Sequence, residues 1–308
     1  LTEISKAAQA LKTGHLVALP TETVYGLAAD ATNPEAVARI YSVKGRPSDH
    51  PLIVHVSSVE LLDRWTSEIP SYARLLANNF WPGPMTLVLK RSDLAKDFIT
   101  GSQDTVALRI PGHAKALEIL AAFEALGGLG VAAPSANRFG RVSPTTSHAV
   151  ASELSDYLSE DDLIVDGGES EVGLESTIID CTGENPRVLR PGAVTVEMIE
   201  QATGLDVVES GSLIRVSGSL KSHYAPAAKV VLDQTAKPGE GFIALSDVQT
   251  PSGVVRLAAP NTLAEFAKEL YAALRKADEQ ELERVVAITP AGDGLAVAIR
   301  DRLTRAAS

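Results

Sequence analysis

The stretch from Leu19 to Val56 constrains the fold more than any other part of this 308-residue chain. An apolar run, Gly14-His15-Leu16-Val17-Ala18-Leu19, stops at Pro20, where a hydroxyl-rich Thr21-Glu22-Thr23 turn begins. Asn33-Pro34-Glu35 then supplies a side-chain cap, a pre-set first turn and an acid at the positive end of a helix. Val37, Ile40, Tyr41 and Lys44 follow at helical spacing, and Arg46-Pro47 ends the pattern. The stretch reads as a strand, a polar turn, a helix, a basic loop and a second strand, which is an α/β unit. Lys44, Arg46, His50 and His55 are interleaved with Gly45, Pro47 and Pro51. One account of these cations is a helix end that complements its dipole, with a solvated loop behind it. The other is a pocket, because strand ends beside a helix are where α/β proteins place ligands.

Composition sets outer limits. Hydrophobic residues make up 45% and charged residues 22%, as in an ordinary soluble globular protein, and the length allows two domains. A net charge of -11 argues against a broad basic nucleic-acid or membrane surface, while leaving room for a local basic pocket. The single cysteine, Cys181, excludes an intrachain disulfide and a multi-cysteine zinc site. No apolar run approaches a membrane span and no basic-then-apolar signal opens the chain, so a soluble cytoplasmic protein is expected.

Periodicity predicts helices at 2–13, 58–68, 70–80, 114–126, 146–158 and 195–202. Strands are expected at 85–89, 105–111 and 131–133, and around 163–166, 176–180 and 188–190. Trp81, in the rigid Phe80-Trp81-Pro82-Gly83-Pro84 turn, reads as core. Arg109 lies on a strand between apolar neighbours, as either an edge charge or a ligand contact. Ser135 and Asn137 follow a buried strand, either as turn formers or as nucleotide contacts. Arg190 repeats the theme of a cation at a strand end. Together these hydroxyls and cations suit an acidic, phosphate-bearing ligand.

A Ser/Gly-rich, aperiodic segment then reads as a linker, which divides the chain into domains 1–208 and 229–308 with a linker or lid at 209–228. Tyr224 is unusual for a plain spacer. Beyond it, strands at 229–232, 241–246, 254–257 and 284–288 alternate with helices at 261–277 and 294–306. The turn Pro290-Ala291-Gly292-Asp293-Gly294 lacks the lysine of a P-loop and the glycine spacing of a dinucleotide site.

Six motifs occur in the order of a YrdC-type domain. They are Pro20-Thr21-Glu22-Thr23-Val24-Tyr25-Gly26-Leu27, Lys44-Gly45-Arg46-Pro47, Pro51-Leu52-Ile53-Val54-His55, Pro134-Ser135-Ala136-Asn137, Glu175-Ser176-Thr177-Ile178 and Leu189-Arg190-Pro191-Gly192. With Lys221-Ser222-His223-Tyr224-Ala225-Pro226 and the small α/β unit, nearly the whole chain resembles the long form of the threonylcarbamoyl-AMP synthase family. The resemblance implies a YrdC-like twisted mixed α/β sheet with a basic concave pocket, followed by a small Rossmann-like C-terminal domain. It implies a nucleotidyltransferase that condenses L-threonine, bicarbonate or CO2, and ATP into L-threonylcarbamoyl-AMP and pyrophosphate. Partner proteins would then pass the group to an adenosine of tRNA, with no stable nucleic-acid binding expected of this chain itself.

On that resemblance Thr23, His55, Arg109, Ala133 and Ser176 would line the threonine and carbamate site. Lys44, Arg46, His50, Thr105, Ser135, Asn137, Ser143, Arg190 and Tyr224 would surround ATP, with Lys44 and Arg46 catalytic. Magnesium is expected on the triphosphate, without a carboxylate cage from the protein. The chain departs from the family where Ser217-Gly218-Ser219-Leu220 replaces the usual Ser-Pro-Gly-Met. Two rivals accompany this reading. One is a YrdC-like module that binds RNA without making an adenylate. The other is the carbamoyl chemistry of hydrogenase-maturation proteins, whose zinc-binding segment the lone cysteine excludes.

Overall fold

The computed structural model describes residues 2–208, 213–218 and 224–308. The segments 209–212 and 219–223, with Ser219, Leu220 and Lys221-Ser222-His223 of the expected linker, lie outside the described residues.

The N-terminal part begins with α1 (Glu3–Lys12), β1 (Val17–Leu19), β2 (Gly26–Asp30), α2 (Pro34–Lys44) and β3 (Ile53–His55). It continues through α3 (Leu62–Trp65), β4 (Thr66–Glu68), α4 (Ser71–Phe80), β5 (Met85–Arg91), α5 (Asp97–Thr100) and β6 (Thr105–Arg109). Then come α6 (Ala114–Ala125), β7 (Val131–Ala132), α7 (Ser147–Leu154), β8 (Leu163–Ile164), β9 (Thr177–Asp180), β10 (Arg187–Arg190) and α8 (Val196–Thr203). The C-terminal part is β11 (Lys229–Leu232), β12 (Gly241–Ile243), β13 (Val255–Ala258), α9 (Leu263–Glu279), β14 (Arg284–Ala287) and α10 (Leu295–Ala306).

The first sheet is mixed, in the order β10-β9-β5-β6-β3-β7-β2-β1-β8, with β4 beside β5. Parallel pairing of β3 with β6 sets His55 abreast of Arg109. That register brings an imidazole and a guanidinium from distant segments to one strand end. The second sheet, β11-β14-β12-β13, is wholly parallel.

Asn33 caps α2 as its sequence implies, its Oδ1 accepting from the Glu35 and Ala36 amides at 3.0 and 3.1 Å. Gly45 ends the helix in the left-handed conformation, φ 62°, so Lys44 sits in the last turn. Trp81 is core, its indole N–H donating to the Met85 carbonyl.

Two expectations fail. Residues 58–68 are not one helix: a 3-10 turn at Val59–Leu61 leads into α3 and then β4. Thr66 and Glu68 pair with Arg91 and Lys90 of β5, and this long-range pairing overrides the local helical pattern. The polar turn after β1 also does not lead straight into the helix, because β2 intervenes. All five residues of β2 are buried, so no alternation of apolar and polar side chains marks it.

The C-terminal unit packs onto the first through α9. Leu174, Val142 and Val24 of the first unit share a hydrophobic cluster with Phe266, Leu270 and Tyr271. Arg275 of α9 also pairs with Glu153 of α7 at 3.1 Å.

Candidate active site

A small cavity of about 40 Å³ lies at the strand ends. Its walls include Thr21 and Thr23 from the turn after β1, Arg46 beyond α2, His55 from β3 and Arg109 from β6. Ala133 and Ser135 follow β7, Glu175 and Ser176 precede β9, and Arg190 ends β10. Ser217, Gly218 and Tyr224 close it. A wider groove beside β5 is open, and two of its cations are committed, Lys90 to Glu68 at 2.7 Å and Arg91 to Asp97 at 2.6 Å.

The hydroxyl turn shapes one end of the cavity. Thr21 Oγ1 donates to the Val24 carbonyl at 2.6 Å and lies 2.9 Å from Thr23 Oγ1. Arg109 then donates through one nitrogen to Glu22 Oε1 and to Thr23 Oγ1, each at 2.8 Å. Burial, reinforced by the neighbouring Arg109 charge, pushes the His55 imidazole down to about 3, so it is neutral at physiological pH. On the same wall Ser176 Oγ lies 2.7 Å from Thr86 Oγ1.

Two guanidiniums hold the other end. Arg190 donates from two nitrogens to the Ser176 carbonyl at 3.1 and 2.9 Å and from a third to the Ser217 carbonyl at 3.0 Å. Arg46 donates to Pro51 O at 2.9 Å and to Ser217 Oγ at 3.1 Å. Burial lowers the Arg46 pKa to about 10, which leaves it a cation at neutral pH. Arg46 Nε and Arg109 Nε are buried donors with no acceptor among the described residues, an arrangement suited to incoming anions. Gly218 has φ +81°, and a Cβ there would stand 2.3 Å from the Tyr224 hydroxyl oxygen. Only glycine fits that approach.

The structure gathers all five expected threonine-site residues, Thr23, His55, Arg109, Ala133 and Ser176, in this cavity. Of the expected ATP contacts it places Arg46, Ser135, Arg190 and Tyr224 there. Lys44, His50, Thr105, Asn137 and Ser143 do not form its walls. Lys44 is fully buried, and its ammonium donates to the Ser135 and Asn137 carbonyls, each at 2.5 Å. Burial and the nearby Arg46 charge depress its pKa well below that of a free lysine. Asn137 donates to the Arg138 and Arg141 carbonyls, knotting the same turn. The Ser143 hydroxyl donates to Glu175 Oε1 at 2.6 Å. His50 packs edge-on to Phe139 with ring centroids 5.4 Å apart. Thr105 lines a neighbouring apolar pocket beneath Ile214 and Val216.

Sequence reasoning gave no role to Glu22 or Glu175, although both stand inside motifs it singled out. Their signal was available: each is an acid flanked by threonine, serine or leucine near a strand end, where burial obliges a carboxylate to take a partner. The partners themselves, Arg109, Tyr271 and Arg302, could not be read from spacing.

A family model described as telomere recombination matches residues 9–192, and one described as threonylcarbamoyl-AMP synthase, C-terminal domain, matches residues 194–308. Among curated proteins, a threonylcarbamoyl-AMP synthase of Pyrococcus abyssi is 39% identical, the match covering 99% of this chain and 94% of that one. A Bacillus subtilis protein of the same name is 37% identical, covering 99% and 93%. Among solved structures, P. abyssi Sua5 complexed with L-threonine superposes with a TM-score of 0.88 at 37% identity, covering 99% of this chain and 94% of that one.

Proposed function

The chain belongs to the threonylcarbamoyl-AMP synthase family, and on that premise we propose that its cavity joins L-threonine, bicarbonate or CO2, and ATP into L-threonylcarbamoyl-AMP. One observation carries the reading: a single cavity unites the five expected threonine-site residues with Arg46 and Arg190. The Pyrococcus structure with L-threonine supports it by its likeness over the full chain. The product serves modification of an adenosine in tRNA, to which other proteins carry the threonylcarbamoyl group, and the reaction belongs in the cytoplasm.

The chemistry needs no nucleophile from the protein. Threonine's amine attacks the carbon of CO2 and sheds a proton to solvent, giving a carbamate. A carbamate oxygen then attacks the α-phosphorus of ATP, the bond to the β-phosphate oxygen breaks, and pyrophosphate leaves. The protein positions the reactants, neutralises charge and keeps out water, since carbamates and mixed anhydrides hydrolyse readily.

Arg109 receives the threonine carboxylate on its free Nε, while Glu22 and Thr23 hold the guanidinium plane. Thr23, Ser176 and the Ala133 backbone surround the rest of the amino acid. Neutral His55 adds an uncharged ring nitrogen beside it. Arg46 and Arg190 take the phosphates, helped by Ser135, with Tyr224 against the adenosine. Lys44 acts through the Ser135–Asn137 turn that it holds. Magnesium would arrive on the triphosphate as part of the substrate, where it offsets phosphate charge. Among the described residues no group of three or more His, Cys, Asp or Glu is gathered for a metal of their own.

The deciding assay is pyrophosphate release from ATP and bicarbonate with L-threonine, L-serine or no amino acid, with the adenylate identified by mass spectrometry. Threonine-dependent release is expected. Binding of ATP without release under any condition would overturn the reading.

A further inference from the structure

Glu175 is an acid in the wall of a cavity otherwise furnished with Arg46, Arg109 and Arg190. Left bare, its carboxylate would cancel part of the field that draws carboxylates and phosphates into the site. It is not bare. Oε1 accepts the Ser143 hydroxyl at 2.6 Å, and Oε2 accepts both the Tyr271 hydroxyl and Arg302 Nε at 2.8 Å.

Tyr271 lies on α9 and Arg302 on α10, so both partners on Oε2 come from the C-terminal unit. Both are wholly buried, at 0% exposure, so their geometry is not diluted by solvent. Arg302 also donates to the Pro191 carbonyl at 3.0 Å, next to Arg190, and pairs with Asp301 at 2.5 Å. Tyr224 stacks on Tyr271 with centroids 5.6 Å apart, and the Arg302 guanidinium lies 5.3 Å from the Tyr224 ring centre. One cluster therefore joins the acid of the wall, the ring that closes the cavity and two helices of the second unit.

We infer that Arg302 and Tyr271 are positioning residues of the nucleotide site: by holding and neutralising Glu175 they keep the wall beside Ser176 and Arg190 receptive to a triphosphate. The C-terminal unit is thereby a working part of the cavity. The inference rests on the reading of the cavity as an ATP site. The charge balance supports it. Burial alone would raise the Glu175 pKa, yet Arg302 first and then Arg190 and the Ser143 hydrogen bond hold it down to about 2. The acid is thus an anion whose charge must be met locally.

The test is a double-mutant cycle in the full chain, with Arg302→Met, Glu175→Gln and the pair together, reading the ATP dissociation constant by calorimetry. Arg302→Met should weaken ATP binding by about tenfold or more, because it leaves a buried carboxylate unpaired in the wall. Adding Glu175→Gln should restore binding to within about threefold, since the unpaired charge is gone. The unfolding midpoint of each variant is read beside the affinity: a merely structural arginine would lower the midpoint and leave the ATP affinity of the folded protein unchanged.

If Arg302→Met does not fold, Tyr271→Phe removes a single hydroxyl bond and should still weaken ATP binding by about threefold. Unchanged ATP affinity in whichever of Arg302→Met and Tyr271→Phe folds overturns the inference, as does a double variant no better than Arg302→Met. Threonine-dependent adenylate formation by the unaltered protein is scored separately. Its absence alongside normal ATP binding would remove the proposed reaction and leave the cycle to decide the inference.

Discussion

Arg109 and Glu22 form a buried ion pair at 2.8 Å across 87 residues of sequence, and the same guanidinium nitrogen also holds Thr23 at 2.8 Å. The pair fixes the plane of the guanidinium at the end of the cavity proposed to take threonine and leaves Nε free. Arg109→Lys keeps the charge but loses the planar fork, so it cannot hold Glu22, Thr23 and a substrate carboxylate together. The KM for threonine should rise about tenfold or more while that for ATP changes little, roughly the loss of one charge-assisted contact. Steady-state kinetics with each substrate varied in turn measures this. A similar rise in both constants would count against a threonine-specific role.

Lys44 and Arg46 should separate cleanly. Lys44→Ala strips the donor from two carbonyls, Ser135 O and Asn137 O, at a cost of about 1–3 kcal/mol for each buried acceptor. Its unfolding midpoint in denaturant should fall along with its turnover. Arg46→Ala should cut turnover by about tenfold or more with a smaller stability loss, because Arg46 faces the cavity. Paired unfolding and rate measurements decide. Equal stability losses would return Arg46 to a structural role.

Stability should drop on acidification in two stages of the same sign. Folded His55 titrates at about 3, against an ordinary value of 6.5, because of burial and then Arg109. Between those values the unfolded chain binds a proton that the folded chain does not, so stability is full above 6.5 and declines as pH falls toward 3. Glu175 adds a second loss from 4.5 down toward 2, its folded value held low by Arg302 and Arg190 against burial. Thermal unfolding from pH 7.5 to pH 2.5 should show a falling midpoint, and His55→Gln should flatten the part above pH 4.5. A midpoint that rises on acidification would contradict both assignments.

Local chemistry was legible wherever the signal is local. The Asn33 cap, the helical spacing through Lys44 and the apolar face of α9 at Leu263, Phe266, Leu270 and Leu274 follow from capping geometry and the 3.6-residue period. The strands after Met85, Thr105 and Lys229 also stand where their apolar runs place them. β2 escaped because burial on both faces erases alternation, and residues 58–68 misled because Thr66 and Glu68 answer to a partner strand.

At the site, the family resemblance carried by the ordered motifs was enough to name the cavity-lining Thr23, His55, Arg109, Ala133 and Ser176. It could not say which way a side chain turns. Lys44 and Arg46 are two positions apart with the same charge, yet one is spent on backbone carbonyls and the other faces the cavity. Nor could spacing join Glu175 to Arg302, 127 residues away. A sequence records which residues carry charge and how they repeat along the chain. The partner that satisfies a buried charge is chosen only when separate segments pack, because burial removes water and leaves each ionised group to the neighbours that tertiary structure brings within reach.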